Sequence, residues 1–395
     1  GVEEARDHIA QMINAKPSEI LFLSGGSESI NQALIGGVRA LRDSRRTIIA
    51  SCFEHPAVNE TLKFLEEEYG FKTVRLQVSR HGFVDLDQLD LVLSSDVAMV
   101  TCMLANNEIG AIQPIAEMTK RIRAFEASPK GNGPILFHCD ASQAGGKMVV
   151  DAKKLGVDYM TMAGHKIYAT KGVGILYIRD GSVEPKPIIH GANQEHGRRA
   201  GTENVILCVG MGKAEELINA HLAEDMKRMR ELKQHLKVLL LERSPVNVRV
   251  NSSKNPDPYA DEDDTDFYLS NTLSISFEGM LSSALLSMMG SSLCTSAGAA
   301  CHSTDGISVS DVLKAIHCPL SFAIGTLRLS VGRYTTKEDV EKAAEVIIAA
   351  VYALLEKPSI NQRLAWEMYN IDTESIYCMP KVTAVNRDIA LDTPE

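Results

Sequence analysis

Lys166, in the stretch AGHKIYATKG, follows His165 directly after an apolar run. A lysine at the end of a buried strand, facing a cleft, is desolvated; its pKa falls and its amine can form a Schiff base with a carbonyl compound. The plainer reading is a surface lysine. In FHCDASQAGG a second apolar run ends in Asp140, with Gln143 shortly after it. A carboxylate there is costly unless partnered. A protonated pyridine nitrogen would offset the cost, and so would a helix N-cap role. The turn SGGSES at residues 24–29 contains Gly26 and Ser27 and precedes an apolar-periodic segment. Glycines there let backbone N–H groups approach an anion at a helix N-terminus, which suits one phosphate; the lysine of a nucleotide P-loop is missing. His55 in FEHPAV, and Asn106 and Asn107 in LANNEIG, also follow apolar runs. An imidazole can stack on a flat ring or move a proton, and an amide can bond a ring substituent. Turn and capping roles account for either as well. Together these groups match pyridoxal 5′-phosphate, giving its phosphate, ring face, ring oxygen, ring nitrogen and aldehyde carbon one partner each.

One further stretch does not bind a cofactor. CTSAGAACHS, residues 294–303, sets small residues around Cys301 and follows it with His302. A thiolate that attacks an atom of the substrate and then delivers it elsewhere needs a slim, mobile tether, which Ala297, Gly298, Ala299 and Ala300 would supply. A free cysteine is also a small core hydrophobe. Cys294 reads as structural, at the end of a strand, and near enough in sequence to trap Cys301 as a disulfide.

These residues must be positioned by the elements around them. Residues 1–210 alternate short apolar runs (19–24, 47–51, 72–78, 97–103, 134–140, 159–163, 174–179) with helical stretches. That rhythm predicts an α/β fold with a mostly parallel, doubly wound sheet. In such sheets sites gather at the carboxyl ends of strands, where the groups above fall. Residues 211–243 read as a long charged helix and 251–266 as a polar, acidic loop. The strands TLSISF and TLRLSVG and a helix from Lys337 then complete a smaller α+β domain. The expected organisation is a large domain at 1–210, a small domain at 211–358 and a tail at 359–395.

The chain has 395 residues, 45% hydrophobic and 23% charged, with a formal net charge of −10. An acidic balance argues against nucleic acid as the main partner. No apolar run is long enough for a membrane span. Eight cysteines without a CxxC pair argue against a zinc ribbon or a thioredoxin-type motif, and no metal site is expected.

The order SGGSES, EH, NNEIG, DASQ, GHK, RAGTEN, GAACHS, LRLSVGR resembles the cysteine desulfurases and selenocysteine lyases of the class V aminotransferase fold. The resemblance spans roughly residues 1–357 and implies the fold type I of pyridoxal-phosphate transferases. It implies that Lys166 holds the cofactor, that Asp140 pairs with the ring nitrogen, and that Gln143 and Asn107 bond the ring-oxygen side, Asn107 also meeting substrate. His55 would stack on the ring and move protons. Gly26, Ser27 and His165 would hold the phosphate, and Thr202 would reach the phosphate in a neighbouring subunit, giving a homodimer with shared sites. Arg328 would clamp the substrate carboxylate. Cys301 would take sulfur from L-cysteine as a persulfide and leave L-alanine, supplying sulfur for Fe–S clusters or other thio-cofactors.

The resemblance also carries departures. The family's opening strand, with an asparagine–alanine–threonine signature, has no counterpart. A second reading is therefore a chain that binds cofactor or a partner without turnover. Ala163 stands where many members have a serine touching the phosphate, and Ala192 where glycine is usual. His302 follows the cysteine as in selenocysteine lyases and some desulfurases, where Fe–S assembly desulfurases usually have threonine, making L-selenocysteine the alternative substrate. An ordinary aminotransferase would leave Cys301 unexplained. LAWEMYNIDTESIY, residues 364–377, resembles the segment by which Fe–S assembly desulfurases contact a scaffold protein. The expected location is the cytoplasm, or the mitochondrion if a preceding segment carries a transit peptide.

Overall fold

The computed structural model describes residues 1–41, 45–255, 266–303, 306–373 and 376, with side chains outside the description at 299–303 and 306–308. Two compact units emerge. The first holds residues 1–78, 83–107 and 112–223; the second holds 79–82, 108–111 and the chain from 224 onward.

The first unit begins with helix α1 (Val2–Met12), then alternates: β1 (Ile20–Leu23), α2 (Gly26–Leu41), β2 (Thr47–Ser51), α3 (Pro56–Tyr69), β3 (Lys72–Leu76), α4 (Leu86–Val92) and β4 (Val97–Thr101). It continues through α5 (Ile115–Glu126), β5 (Leu136–Asp140), α6 (Ala152–Leu155), β6 (Tyr159–Ala163) and β7 (Gly174–Ile178) to the first half of α7 (Val205–Arg243). The seven strands form one sheet in the order β1-β7-β6-β5-β4-β2-β3. Pairs from β3 to β6 are parallel, and β7 runs antiparallel to both its neighbours, Tyr159 facing Ile178 and Ile20 facing Tyr177. Every residue of β4, β5 and β6 is buried, as expected of parallel strands covered on both faces.

Helix α2 covers one face with Ile30, Ala33, Leu34 and Val38. Gly37 lets it lie close: a Cβ there would meet Met99 Cε at 2.8 Å and Tyr159 Cε2 at 2.9 Å. Buried Arg6 of α1 pairs with buried Glu195, 2.7 Å away, and donates to Ile20 O; Glu195 also accepts from Phe22 N. That ion pair ties α1 to the start of the sheet. Helix α7 begins at Val205, ahead of the expected Met211, because Asn204 Oδ1 accepts from Leu207 N at its start.

The second unit is built on an antiparallel sheet ordered β10-β13-β9-β8, from β8 (Val248–Val250), β9 (Thr272–Phe277), β10 (Ser296–Ala297) and β13 (Thr326–Ser330). Helices α8 (Ser282–Met289), α9 (Asp311–Ala315), α10 (Leu320–Ala323) and α11 (Lys337–Glu356) accompany it. The core joins Ile275, Phe277 and Leu327 of the sheet to Leu285 of α8 and Ile347 and Val351 of α11. A separate hairpin, β11 (Ala299–Ser303) with β12 (Gly306–Val309), carries the backbone of Cys301, while its side chain and that of His302 lie outside the described residues.

Three details differ from the sequence expectation. Cys294 lies in an exposed segment outside any strand. Gly298 serves close packing, since a Cβ there would meet Thr326 Cβ at 2.9 Å, and its N donates to Thr326 O. The segment after Pro358 opens with helix α12 (Ile360–Met368). Polar anchors hold α12 where apolar periodicity is weak: Gln362 bonds Leu281 N and Gly279 O, and Trp366 Nε1 donates to the same carbonyl.

Candidate functional site

A cavity of about 210 Å³ opens in the first unit at the carboxyl ends of five strands. After β1, the turn delivers Gly26 and Ser27 at the N-terminus of α2. A Cβ on Gly26 would press on Ala163 Cβ at 3.3 Å and Ser142 Oγ at 3.5 Å, so glycine keeps the helix end open to a ligand. Beneath it, Glu28 accepts from Ser24 N, and the Arg199 guanidinium binds that carboxylate at 2.8 Å. The arginine thus neutralises an acid that would otherwise oppose an anion at this helix end.

After β2 comes His55, the N-cap of α3, with Pro56 at the first helical position. Its Nδ1 accepts from Ala57 N at 3.1 Å, so in the neutral ring the proton sits on Nε2. After β4 the cavity is lined by Met103, Ala105 and Asn107. Asp140 ends β5, buried, with Oδ1 accepting from Ser142 N at 2.9 Å; Ser142 and Gln143 line the same wall. Behind it, His138 is held between Thr101 and Thr161, and burial lowers its pKa to about 3, which keeps the ring neutral. After β6, a short 3-10 turn presents His165 and Lys166. Partial burial and the cations Lys166 and Lys171 lower the His165 pKa.

The structure brings together Gly26, Ser27, His55, Asn107, Asp140, Gln143, His165 and Lys166 around this one cavity. Thr202 is elsewhere. It is exposed and lines a different cavity of about 220 Å³ with Phe22, Ser24 and Arg199. Arg328 belongs to the second unit. On β13 it faces Ser296 across the ladder, with Nη2 donating to Ser296 Oγ at 2.9 Å. In that unit Glu108 accepts from Ser310 Oγ, and the Arg328 charge tempers the rise that burial gives its carboxyl. Among the described residues no His, Cys, Asp and Glu cluster could hold a metal.

The donor set fits pyridoxal phosphate. A glycine-lined helix N-terminus suits its phosphate, a buried carboxylate its pyridine nitrogen, an imidazole its face and a primary amine its aldehyde.

Sequence reasoning missed three neighbours of this site. Glu54, buried beside His55, was visible only as the E of EH. Lys147 Nζ donates to the Lys166 carbonyl at 2.8 Å, and burial, with the Lys166 charge, pushes its pKa down to about 8. Glu215 of α7 is fully buried, and neither carboxylate oxygen has a hydrogen-bond partner. Burial pushes it up to about 8, with the Lys147 charge opposing.

Glu215 sets a stability test. Its folded pKa lies above its ordinary value of 4.5, so the native state keeps a proton that the unfolded chain releases. Stability conferred by this proton is fully present below 4.5 and is lost as pH rises toward 8. Glu215→Gln is expected to remove that loss, gaining roughly 3–4 kcal/mol relative to wild type between pH 5 and 8. Denaturant titrations of both chains across that range check this, and a constant difference would contradict it.

Comparison with known proteins agrees with the geometry. Residues 1–343 match the aminotransferase class-V family. The cysteine desulfurase IscS of Dictyoglomus turgidum is 40% identical over 349 residues, 88% of this chain and 82% of that protein. A cysteine desulfurase of a Nostoc species is 38% identical over 367 residues, 92% of this chain and 86% of that one. Among solved structures, a NifS-like protein superposes with a TM-score of 0.78 at 33% identity, covering 89% of this chain and 88% of its own. A structure described as SspA in complex with cysteine gives 0.68 at 29% identity over 85% and 87% of the two chains. With the cavity and donor set described above, these matches establish that the chain belongs to the class-V aminotransferase family.

Proposed function

We propose that the chain is a pyridoxal-phosphate-dependent cysteine desulfurase, converting L-cysteine to L-alanine with transfer of sulfur to Cys301. The observation that carries this reading is the single cavity uniting Lys166, Asp140, His55 and an open helix N-terminus. The relatives described above are named cysteine desulfurases, so L-selenocysteine is the less favoured substrate. Incubating the chain with the cofactor and either amino acid, and measuring alanine, tests the reading. Alanine from L-cysteine is expected; alanine from L-selenocysteine alone would reverse the order.

When bound, the cofactor withdraws electrons from the substrate and labilises the bond between Cβ and sulfur. The protein does the rest. Lys166 Nζ holds the cofactor and exchanges protons with the substrate. Asp140, its Oδ1 fixed by the Ser142 N–H, would keep a proton on the ring nitrogen. His55, whose Nδ1 accepts from Ala57 N, would stack on the ring and offer Nε2 as its proton-bearing edge. The N-terminus of α2 receives the phosphate through the Gly26 and Ser27 backbone. Arg328 orients the substrate carboxylate. At Cys301 an S–S bond forms as the carbon–sulfur bond breaks, and Cβ gains the proton that makes alanine.

The reading includes a homodimer. Supporting it, Ile206 is 82% exposed and Val205 and Val209 flank it on the first turns of α7, near the cavity containing Thr202. Ile206→Glu is expected to shift sedimentation from dimer to monomer and weaken cofactor retention at least tenfold. An intact dimer would count against this surface. The reading also includes an acceptor protein docking at α12, where Ile360, Leu364 and Met368 form an exposed stripe at four-residue spacing. Of the stretch 364–377 that suggested a scaffold, residues 374, 375 and 377 lie outside the described residues.

A further inference from the structure

Glu54 stands immediately behind the cofactor cavity without lining it. It ends the chain segment leaving β2 and is 5% exposed. Its Oε1 accepts from Met103 N at 2.9 Å and from Ser51 Oγ, so one oxygen ties the β2 end to the β4 end. Both tied segments reach the cavity, through His55 and Met103. Its carbonyl accepts from Asn59 Nδ2, and Asn59 in turn accepts from Arg75. Oε2 is buried and has no hydrogen-bond partner.

The charged and titratable groups around Glu54 come from four strands. From β2 and the residues after it come Cys52 and His55, from β3 Arg75, from the β4 end Cys102, and from β5 Cys139 and Asp140. The Arg75 charge favours ionised Glu54, while Asp140 opposes it. Two buried carboxyls sharing a region cannot both ionise freely. Asp140 receives the Ser142 N–H, whereas Glu54 has an oxygen without a hydrogen-bond partner, a natural seat for a proton.

We propose that Glu54 is a positioning residue that works as a neutral acid, holding His55 and Met103 in place while adding no charge of its own beside Asp140 at the cavity floor. Burial together with the Asp140 charge pushes its pKa up to about 7. Its proton therefore leaves as pH rises through about 7, and that ionisation would place a second negative charge behind the cavity. The role of Asp140 toward the ring nitrogen rests on the function proposed above; the protonation of Glu54 does not.

The test compares wild type, Glu54→Gln and Glu54→Ala, as full chains, with two readouts besides activity. Gln copies the shape and hydrogen bonds of the neutral acid. The first readout is the melting temperature of the cofactor-free chain from pH 4.5 to 8. Because the folded pKa of about 7 exceeds the ordinary 4.5, wild type should lose stability relative to Gln as pH rises through that window, then run parallel to it. The second is the pyridoxal phosphate dissociation constant and bound-cofactor absorbance against pH. Gln should bind within about twofold of wild type at pH 6.5 and lose the absorbance transition near 7, while Ala binds at least tenfold more weakly. A pH-independent wild-type-to-Gln difference, or Gln as weak as Ala, overturns the proposal. If Ala fails to fold, wild type against Gln still decides. If no chain binds the cofactor, the functional reading fails while the melting comparison still judges Glu54.

Discussion

Lys166→Ala is expected to lower the rate of alanine formation by about 10³-fold or more, the loss associated with removing a group that both binds covalently and moves protons. The fold should survive, because Lys166 lies in a short 3-10 turn at the cavity and β6 itself is untouched. The Lys147 anchor grips the Lys166 backbone carbonyl, which alanine retains. The variant should therefore still bind pyridoxal phosphate through the α2 N-terminus and Asp140, but reversibly, so that gel filtration strips the cofactor. Absorbance spectra before and after filtration, with alanine quantified in parallel, measure both effects. Normal turnover by this variant would remove Lys166 from the chemistry.

Cys301→Ala is the second large effect: sulfur transfer should fall below detection while the bound-cofactor spectrum stays as in wild type. The other described thiols make poor alternatives. Cys102 and Cys139 are wholly buried, and burial raises both far above the usual thiol range. Burial pushes Cys208 up to about 11, and raises Cys52 and Cys318 as well. The thiolate is the nucleophile, so each of these five is suppressed. Exposed Cys294 is the instructive control, and Cys294→Ala should leave the rate within about twofold. Loss of activity in Cys294→Ala with retention in Cys301→Ala would exchange the two assignments.

The sequence made the parallel strands and their chemistry readable together. Asp140 ends one mostly apolar run and Lys166 lies three residues past another, and such a run followed by a reactive side chain is the pattern of a covered parallel strand. The turn before α2 was readable for a similar reason, since its glycines sit between a strand and an amphipathic helix. What escaped depends on distant contacts. Glu54 is one ordinary acid in a polar motif until Met103 and Asp140 approach it from other strands. Glu215 reads as one charge among many on a long helix, and only burial sets it apart. Helix α12 escaped because its packed side is held by two polar anchors, Gln362 and Trp366, while its apolar residues Ile360, Leu364 and Met368 face solvent. Gly298 suggested mobility by its residue type, whereas its neighbours require it for close packing against Thr326.

The central claim is that sulfur from L-cysteine passes to Cys301 as alanine forms. A single-turnover reaction tests it most directly: the cofactor-loaded chain receives one equivalent of L-cysteine without any acceptor, is quenched with a thiol-blocking reagent, and is digested for mass spectrometry. The account predicts alanine in equal amount to a peptide bearing one extra sulfur on Cys301. Alanine formed with no sulfur on Cys301, or sulfur found on Cys294 instead, would contradict it.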